Sequence, residues 1–220
     1  MSRRTLHALL VLLGCAAMAL VESVLQPIYP VKSALKWLVF GGCAALYAVL
    51  TGERSLFSLF RKPTRNAVLP AAALAIGVFV FLWGGYLVLA PWLDLSAVTG
   101  ALGAKEGITA ATFPLVALYI SLGNSLLEEF FFRGFAFLGA DSRSKATWLF
   151  SALAFALYHV AIMGSWFHPV LFVLLTAGLV VAGLLFNALD RDGTIWPAWL
   201  VHMAANLAIN LIGMRMFGIL

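Results

Sequence analysis

Charge is what this sequence has least of. Asp, Glu, Lys and Arg make up 10% of its 220 residues, where about a quarter is usual for a soluble domain, so an ordinary water-exposed fold is excluded. Cysteine is nearly absent as well. Cys15 and Cys43 are the only two, and both fall inside apolar runs, so no disulfide framework follows and they read as small packing residues. The chain has no β-alternation, no Gly/Asn hairpin signal, no internal repeat and no low-complexity tract.

Apolar residues fill the space, at 63% of the chain with a mean hydropathy of +1.01. A helix needs about 20 apolar residues to cross roughly 30 Å of hydrocarbon. Seven such runs are present, at about 6–25, 34–51, 67–92, 112–133, 146–164, 168–189 and 195–216. The expected architecture is therefore all-α, a polytopic membrane helix bundle of about seven transmembrane helices forming one domain over 1–220. The net charge of +5 and pI near 9.5 do not imply nucleic acid, because the basic residues are scattered between spans and gather on no single face.

Seven spans with a cytoplasmic N-terminus sort the basic residues into two sets. Arg3, Arg4, Arg54, Arg61, Lys62, Arg65, Arg133, Arg143, Lys145 and Arg191 fall inside; Lys32, Lys36, Lys105 and Arg215 fall outside. The bias predicts N-terminus in and C-terminus out, as an integral protein of a bacterial inner (plasma) membrane. The segment Asp94 to Gly107 is then external, and Leu56, Phe57, Leu59 and Phe60 of the basic loop are candidates to rest on the membrane surface. Arg3-Arg4 before an apolar run resembles a signal peptide, with Ala17-Met18-Ala19 or Cys15 as possible processing points. The run continues to Leu25, so an uncleaved span is expected.

Polar residues inside the spans are few and clustered. The fourth span carries Asn124, Glu128, Glu129 and Arg133, the fifth His159, and the seventh His202, Asn206 and Asn210. Residues four apart share a helix face, so these form three polar stripes that satisfy one another only by converging inside the bundle. Glu128 and Glu129 point about 100° apart and should differ in task. Glu129 precedes Arg133 by four, which lets the arginine neutralise it and hold the helix end at the cytoplasmic interface. Glu128 has no local cation and is the better candidate to face His159 and His202, as a general base that activates water.

Glu128-Glu129-x-x-x-Arg133, Phe155-x-x-x-His159 and His202-x-x-x-Asn206, in that order on successive helices, resemble the CPBP family of intramembrane endopeptidases. That family includes the type II CAAX prenyl endopeptidase and bacterial relatives of abortive-infection type. The motifs occupy about 124–210, within a catalytic core of about 112–216. The resemblance implies catalytic Glu128 and His159 activating water, His202 and Asn206 stabilising the oxyanion, and Glu129, Arg133 and Phe155 in support. Preorganised oxyanion donors are worth about 3 kcal/mol each. The sequence carries no G-x-S-x-G elbow, H-E-x-x-H helix or G-x-G-D pair. Glu128, His159 and His202 would also make the His₂Glu set of a catalytic zinc site; the metal-free version is favoured, since zinc would occupy the residues needed as base and donors.

The expected partners are the bilayer and a membrane-embedded or membrane-proximal peptide or protein substrate, prenylated in the eukaryotic relatives and a transmembrane or signal-like peptide if the chain is bacterial. Two other readings remain: a non-catalytic immunity or regulatory protein on the same scaffold, and an ion or proton pathway, since acid and histidine chains also serve pumps. Each histidine alone also reads as interhelical glue. His7 and His168 are expected at the interface, Phe130, Phe131 and Phe132 as lipid-facing or core aromatics, and Pro114 and Pro197 in first helical turns. The stretch Trp196 to Trp199 is expected in an aromatic belt. Counted from the expected cytoplasmic ends, Glu128 lies about 8 Å deep, His202 about 11 Å and His159 about 17 Å. These depths disagree, but a site in the cytoplasmic half is still expected, and the family resemblance implies that it opens toward the cytoplasm.

Overall fold

Hydrocarbon offers a peptide group no hydrogen bond, so every crossing segment has to satisfy its own backbone, and a helix does so. The computed structural model describes residues 2–53, 55–92, 95–163 and 168–220; Arg54 of the basic loop, Asp94 of the external segment and Gly164 at the end of the fifth run lie outside the described residues. Seven helices in it are long and apolar enough to cross a membrane. They are α1 (Arg3–Leu25), α2 (Tyr29–Thr51), α3 (Arg65–Trp92), α5 (Phe113–Leu138), α6 (Lys145–Met163), α7 (Pro169–Asp190) and α8 (Trp196–Met216). A shorter helix, α4 (Ser96–Glu106), occupies most of the segment expected to be external. No strand occurs among the described residues.

The helix ends follow from local chemistry. Thr64 caps α3 by accepting a bond from the Ala67 amide, 3.3 Å, and Gly52 ends α2 at φ 70°, where only glycine is unstrained. Proline opens α2, α7 and α8 and the first turn of α5, where its missing N–H would have no partner anyway.

The acid-bearing helix α5 is the centre of the bundle: its second half packs against α1, α2, α6 and α7, and its first half against α8. Two stretches of it, Ile120–Asn124 and Phe130–Leu138, are π-helical and bracket an α-helical Ser125–Glu129. Such departures are rare and tend to occur at functional sites. Phe131, Phe132, Phe135 and Phe137 are fully buried, with Phe131 stacked on Phe40 of α2 at 3.9 Å. Ser151 of α6 donates to the Phe132 carbonyl (2.8 Å) and to Asn187 of α7 (3.2 Å), tying three helices together.

Several expectations change. The fourth span does not end at Arg133 but runs on to Leu138, and Arg133 is fully buried, so it is no interfacial anchor. The second span begins at Tyr29, which takes Lys32 and Lys36 out of the loops and into the bundle, both buried. With those three residues removed, the loop charges stand nine against two and the asymmetry sharpens. Leu56 and Leu59 do not rest on a membrane surface; they are buried under the bundle, and the Leu59 carbonyl accepts from the Ile195 amide at 3.1 Å. His7 is buried too, donating through Nε2 to the Phe135 carbonyl (2.8 Å) between the rings of Tyr47 and Phe135. His168 is exposed and accepts from the Val170 amide at the start of α7.

Close helix packing has one clear test. A methyl group placed on Gly183 of α7 would lie 2.9 Å from the Ala152 Cα of α6, whereas one on Gly178 would meet nothing within 4 Å. Small residues let membrane helices approach. Gly183→Ala should lower stability by about 1–3 kcal/mol and Gly178→Ala should not, as read by thermal unfolding in detergent; equal effects would contradict this packing.

Candidate active site

Glu128 is buried in the middle of α5, and its two oxygens face different partners. Oε1 accepts from Lys36 Nζ of α2 at 2.8 Å and from Asn124 Nδ2 at 3.0 Å. Oε2 stands 3.7 Å from His159 Nε2 and 3.6 Å from His202 Nε2. Those two separations are too long for direct hydrogen bonds, and they frame a point within reach of a single water.

The rings are held from behind. His159 Nδ1 donates to the Phe155 carbonyl one turn back, 2.8 Å, and His202 Nδ1 donates to Glu129 Oε1 at 2.7 Å. A carbonyl or carboxylate only accepts, so each Nδ1 carries a proton and the neutral ring presents an Nε2 lone pair to the site. The 100° step between Glu128 and Glu129 is spanned by the His202 imidazole, which meets one acid at each nitrogen. Glu129 therefore braces more than the arginine.

Arg133 Nε lies 3.0 Å from Glu129 Oε2, off the hydrogen-bond direction, so the contact is an ion pair without a hydrogen bond. Its guanidinium lies over the rings of Phe155 at 4.2 Å and Phe186 at 4.8 Å. Cation–π contacts in so dry a place are worth about 2 kcal/mol. Phe155 also meets the rings of His159 (4.5 Å) and His202 (5.7 Å), so it packs the floor of the cluster.

Asn206 is half-buried one turn beyond His202, and its amide donates to the Ile120 carbonyl of the first π-helical stretch, 3.2 Å. An amide has two N–H groups, which leaves one. Asn210 donates to the Ala117 carbonyl and Ser121 hydroxyl and is a strut between α8 and α5.

Residues 110–208 match the family model described as Type II CAAX prenyl endopeptidase Rce1-like. This segment is an Rce1-like domain. No curated protein and no solved structure matches the chain. The match covers Glu128, Glu129, Arg133, Phe155, His159, His202 and Asn206 and begins well after Lys36. Rce1-like proteins are proteases, so residues 110–208 belong to a hydrolase family, and the seven membrane-length helices make the chain an integral membrane protein.

Around the cluster the structure places residues that sequence reasoning left without a role. Asn124 bonds both Lys36 and Glu128. Asp190, at the end of α7, accepts from the Ala198 amide at 2.9 Å and fixes the first turn of α8, which carries His202. Its carboxylate lies at a helix N-terminus, where four amides lack partners. Lys36 was visible as a signal: with Lys32, Phe40, Ala44 and Tyr47 it falls on the i, i+4 buried face of α2.

Among the described residues no group of three His, Cys, Asp or Glu is arranged to hold a metal ion, and the Lys36 ammonium already sits on the carboxylate a dication would need. On the side of the basic loops the cluster is sealed by Arg133, Phe132, Phe135 and Ile195, all at 0% exposure. Its half-buried members, Asn124, His159 and Asn206, lie on the opposite side. The disagreement in depth has a cause: α5 continues past Arg133, so Glu128 is about 15 Å from its end, and the start of α8 is buried under Leu59, so counting from Ile195 does not start at the membrane surface.

Removing one member of a buried ion pair costs about 3–5 kcal/mol, because the other charge is stranded. Arg133→Met should therefore destabilise the protein by that order, and Glu129→Gln with Arg133→Met should recover part of the loss. Thermal unfolding of the single and double variants decides; strictly additive losses would mean that the two side chains do not depend on each other.

Proposed function

We propose that the protein is an intramembrane endopeptidase that hydrolyses a peptide bond near or within the bilayer through a water activated by Glu128 and His159. The observation that carries this reading is Glu128 Oε2 between two imidazole nitrogens at 3.6 and 3.7 Å. One proton of the attacking water passes to Glu128 Oε2 as its oxygen bonds to the carbonyl carbon. That proton is handed to the amide nitrogen as the C–N bond breaks. Once its Nε2 lone pair has taken a proton from solvent water, His202, its Nδ1 held by Glu129, presents Nε2–H to the oxyanion, with the free N–H of Asn206 beside it.

Lys36 and Arg133 supply one positive charge to each of the adjacent acids, so the site needs no metal for charge balance. The substrate in this reading is an apolar peptide, prenylated or membrane-spanning, entering from the side of Asn124 and His159. The loop-charge asymmetry supports a cytoplasmic N-terminus.

The experiment is reconstitution in liposomes with a farnesylated CAAX peptide and a pool of synthetic single-span peptides, with products read by mass spectrometry. Wild type should cleave a member of this set. Glu128→Gln and His159→Ala should each lower the rate by at least about 100-fold, and a folded Glu128→Gln variant that cleaves like wild type would sink the mechanism and favour a non-catalytic scaffold. Cleavage should survive treatment with 1,10-phenanthroline; loss on chelation and return with Zn²⁺ would restore the metal reading.

A further inference from the structure

The Rce1-like match begins at residue 110, yet the shortest contact to Glu128 comes from a helix outside it. Lys36 Nζ lies 2.8 Å from Glu128 Oε1 and 2.6 Å from Asn124 Oδ1. Asn124 in turn donates to the same Oε1 at 3.0 Å, so the three side chains close a ring in which every short contact is a donor on an acceptor. The ammonium also stands 5.0 Å from the centre of the Tyr158 ring.

The lysine is not a side chain that drifted onto a convenient acid. One turn further along α2, Phe40 stacks flat on Phe131 of α5 and meets Phe132 and Tyr158 edge-on. One turn earlier, Lys32 is clamped between Glu22 of α1 at 2.6 Å and Glu106 of α4 at 2.8 Å. The helix is thus fixed on both sides of Lys36, and the ammonium is delivered to Glu128 preorganised.

We infer that Lys36 is a positioning residue of the hydrolytic site, anchoring Oε1 of Glu128 together with Asn124 so that Oε2 alone faces the histidines and the attacking water. The inference rests on the proposed protease reading. A free carboxylate presents two equivalent oxygens that exchange by rotation about the last side-chain bond. Here one oxygen is saturated and the other is aimed. Lys36 also balances the second of two adjacent acids, the first being balanced by Arg133, so both can stay charged without a metal. An error of about 1 Å in placing a reacting group costs about 100-fold in rate, which sets the expected effect of losing the anchor.

The test uses the full chain in liposomes with the peptide set above. Lys36→Ala should lower kcat about 100-fold with KM changed less than about threefold. Methylammonium, which places the missing cation in the vacated space, should raise the rate of Lys36→Ala at least about tenfold and leave wild type unchanged. Lys36→Arg should retain more activity than Lys36→Met. A substrate-free arm measures thermal unfolding of Lys36→Met, Glu128→Gln and the double variant; the double variant should be more stable than Lys36→Met alone, because no carboxylate is then stranded.

Lys36→Ala cleaving at the wild-type rate or faster overturns the inference, the faster result marking Lys36 as a blocking group. A rate loss without methylammonium rescue, in proportion to lost folded protein, overturns it in favour of a structural strut. Glu128→Gln cleaving normally, or wild type cleaving nothing in the set, overturns the protease reading and this inference with it. Inactive Glu128→Gln beside fully active Lys36→Ala overturns this inference alone.

Discussion

A carboxylate in the dry interior of a membrane bundle persists only if its lost hydration is replaced, and around Glu128 the polar neighbours come from four different helices, two of them donating to it directly. α2 gives Lys36, α5 itself gives Asn124, α6 gives His159 and α8 gives His202. Each of those helices must hold its place for the acid to be tolerated. The bundle is organised accordingly: α5 is central, the buried phenylalanines after Glu129 fix its second half, and the hydrogen bonds of Asn206 and Asn210 fix its first half against α8. Stability and the proposed chemistry therefore share the same contacts.

The adjacent acid shows how close-coupled the arrangement is. Glu129 cannot reach the space in front of Glu128, but it reaches the far nitrogen of His202 and the guanidinium of Arg133. One acid faces the front of the imidazole and the other its back. The second pattern is that of a histidine oriented by a buried carboxylate, which fixes the tautomer and balances a charged ring.

Most of the fold was legible because hydrocarbon imposes a length and a composition. Five of the seven spans were placed with no more than a few residues' error at each end, while the second was read as beginning five residues late and the fourth as ending five residues early. Both errors fall where a charge inside the membrane imitates a helix end: Lys32 made α2 look shorter, and Arg133 did the same to α5. The convergence of Glu128, His159 and His202 followed from stripes of residues four apart. The partner of Glu128 did not, because Lys36 is 92 residues away in sequence and pairing across such a distance leaves no local spacing to read. His7 escaped for a related reason. Its partner is a backbone carbonyl, and side-chain patterns do not reveal those.

The central claim is that the two site histidines are held through Nδ1 and turn Nε2 toward Glu128, which solid-state ¹⁵N NMR of the histidine-labelled protein in bilayers reads directly. The chain has four histidines, so assignment by single replacement is practical, and His7 serves as an internal control because it donates through Nε2. The account expects the proton on Nε2 of His7 and on Nδ1 of both His159 and His202. A neutral His159 carrying its proton on Nε2 would contradict it, since that nitrogen could then no longer accept a hydrogen bond from the water beside Glu128.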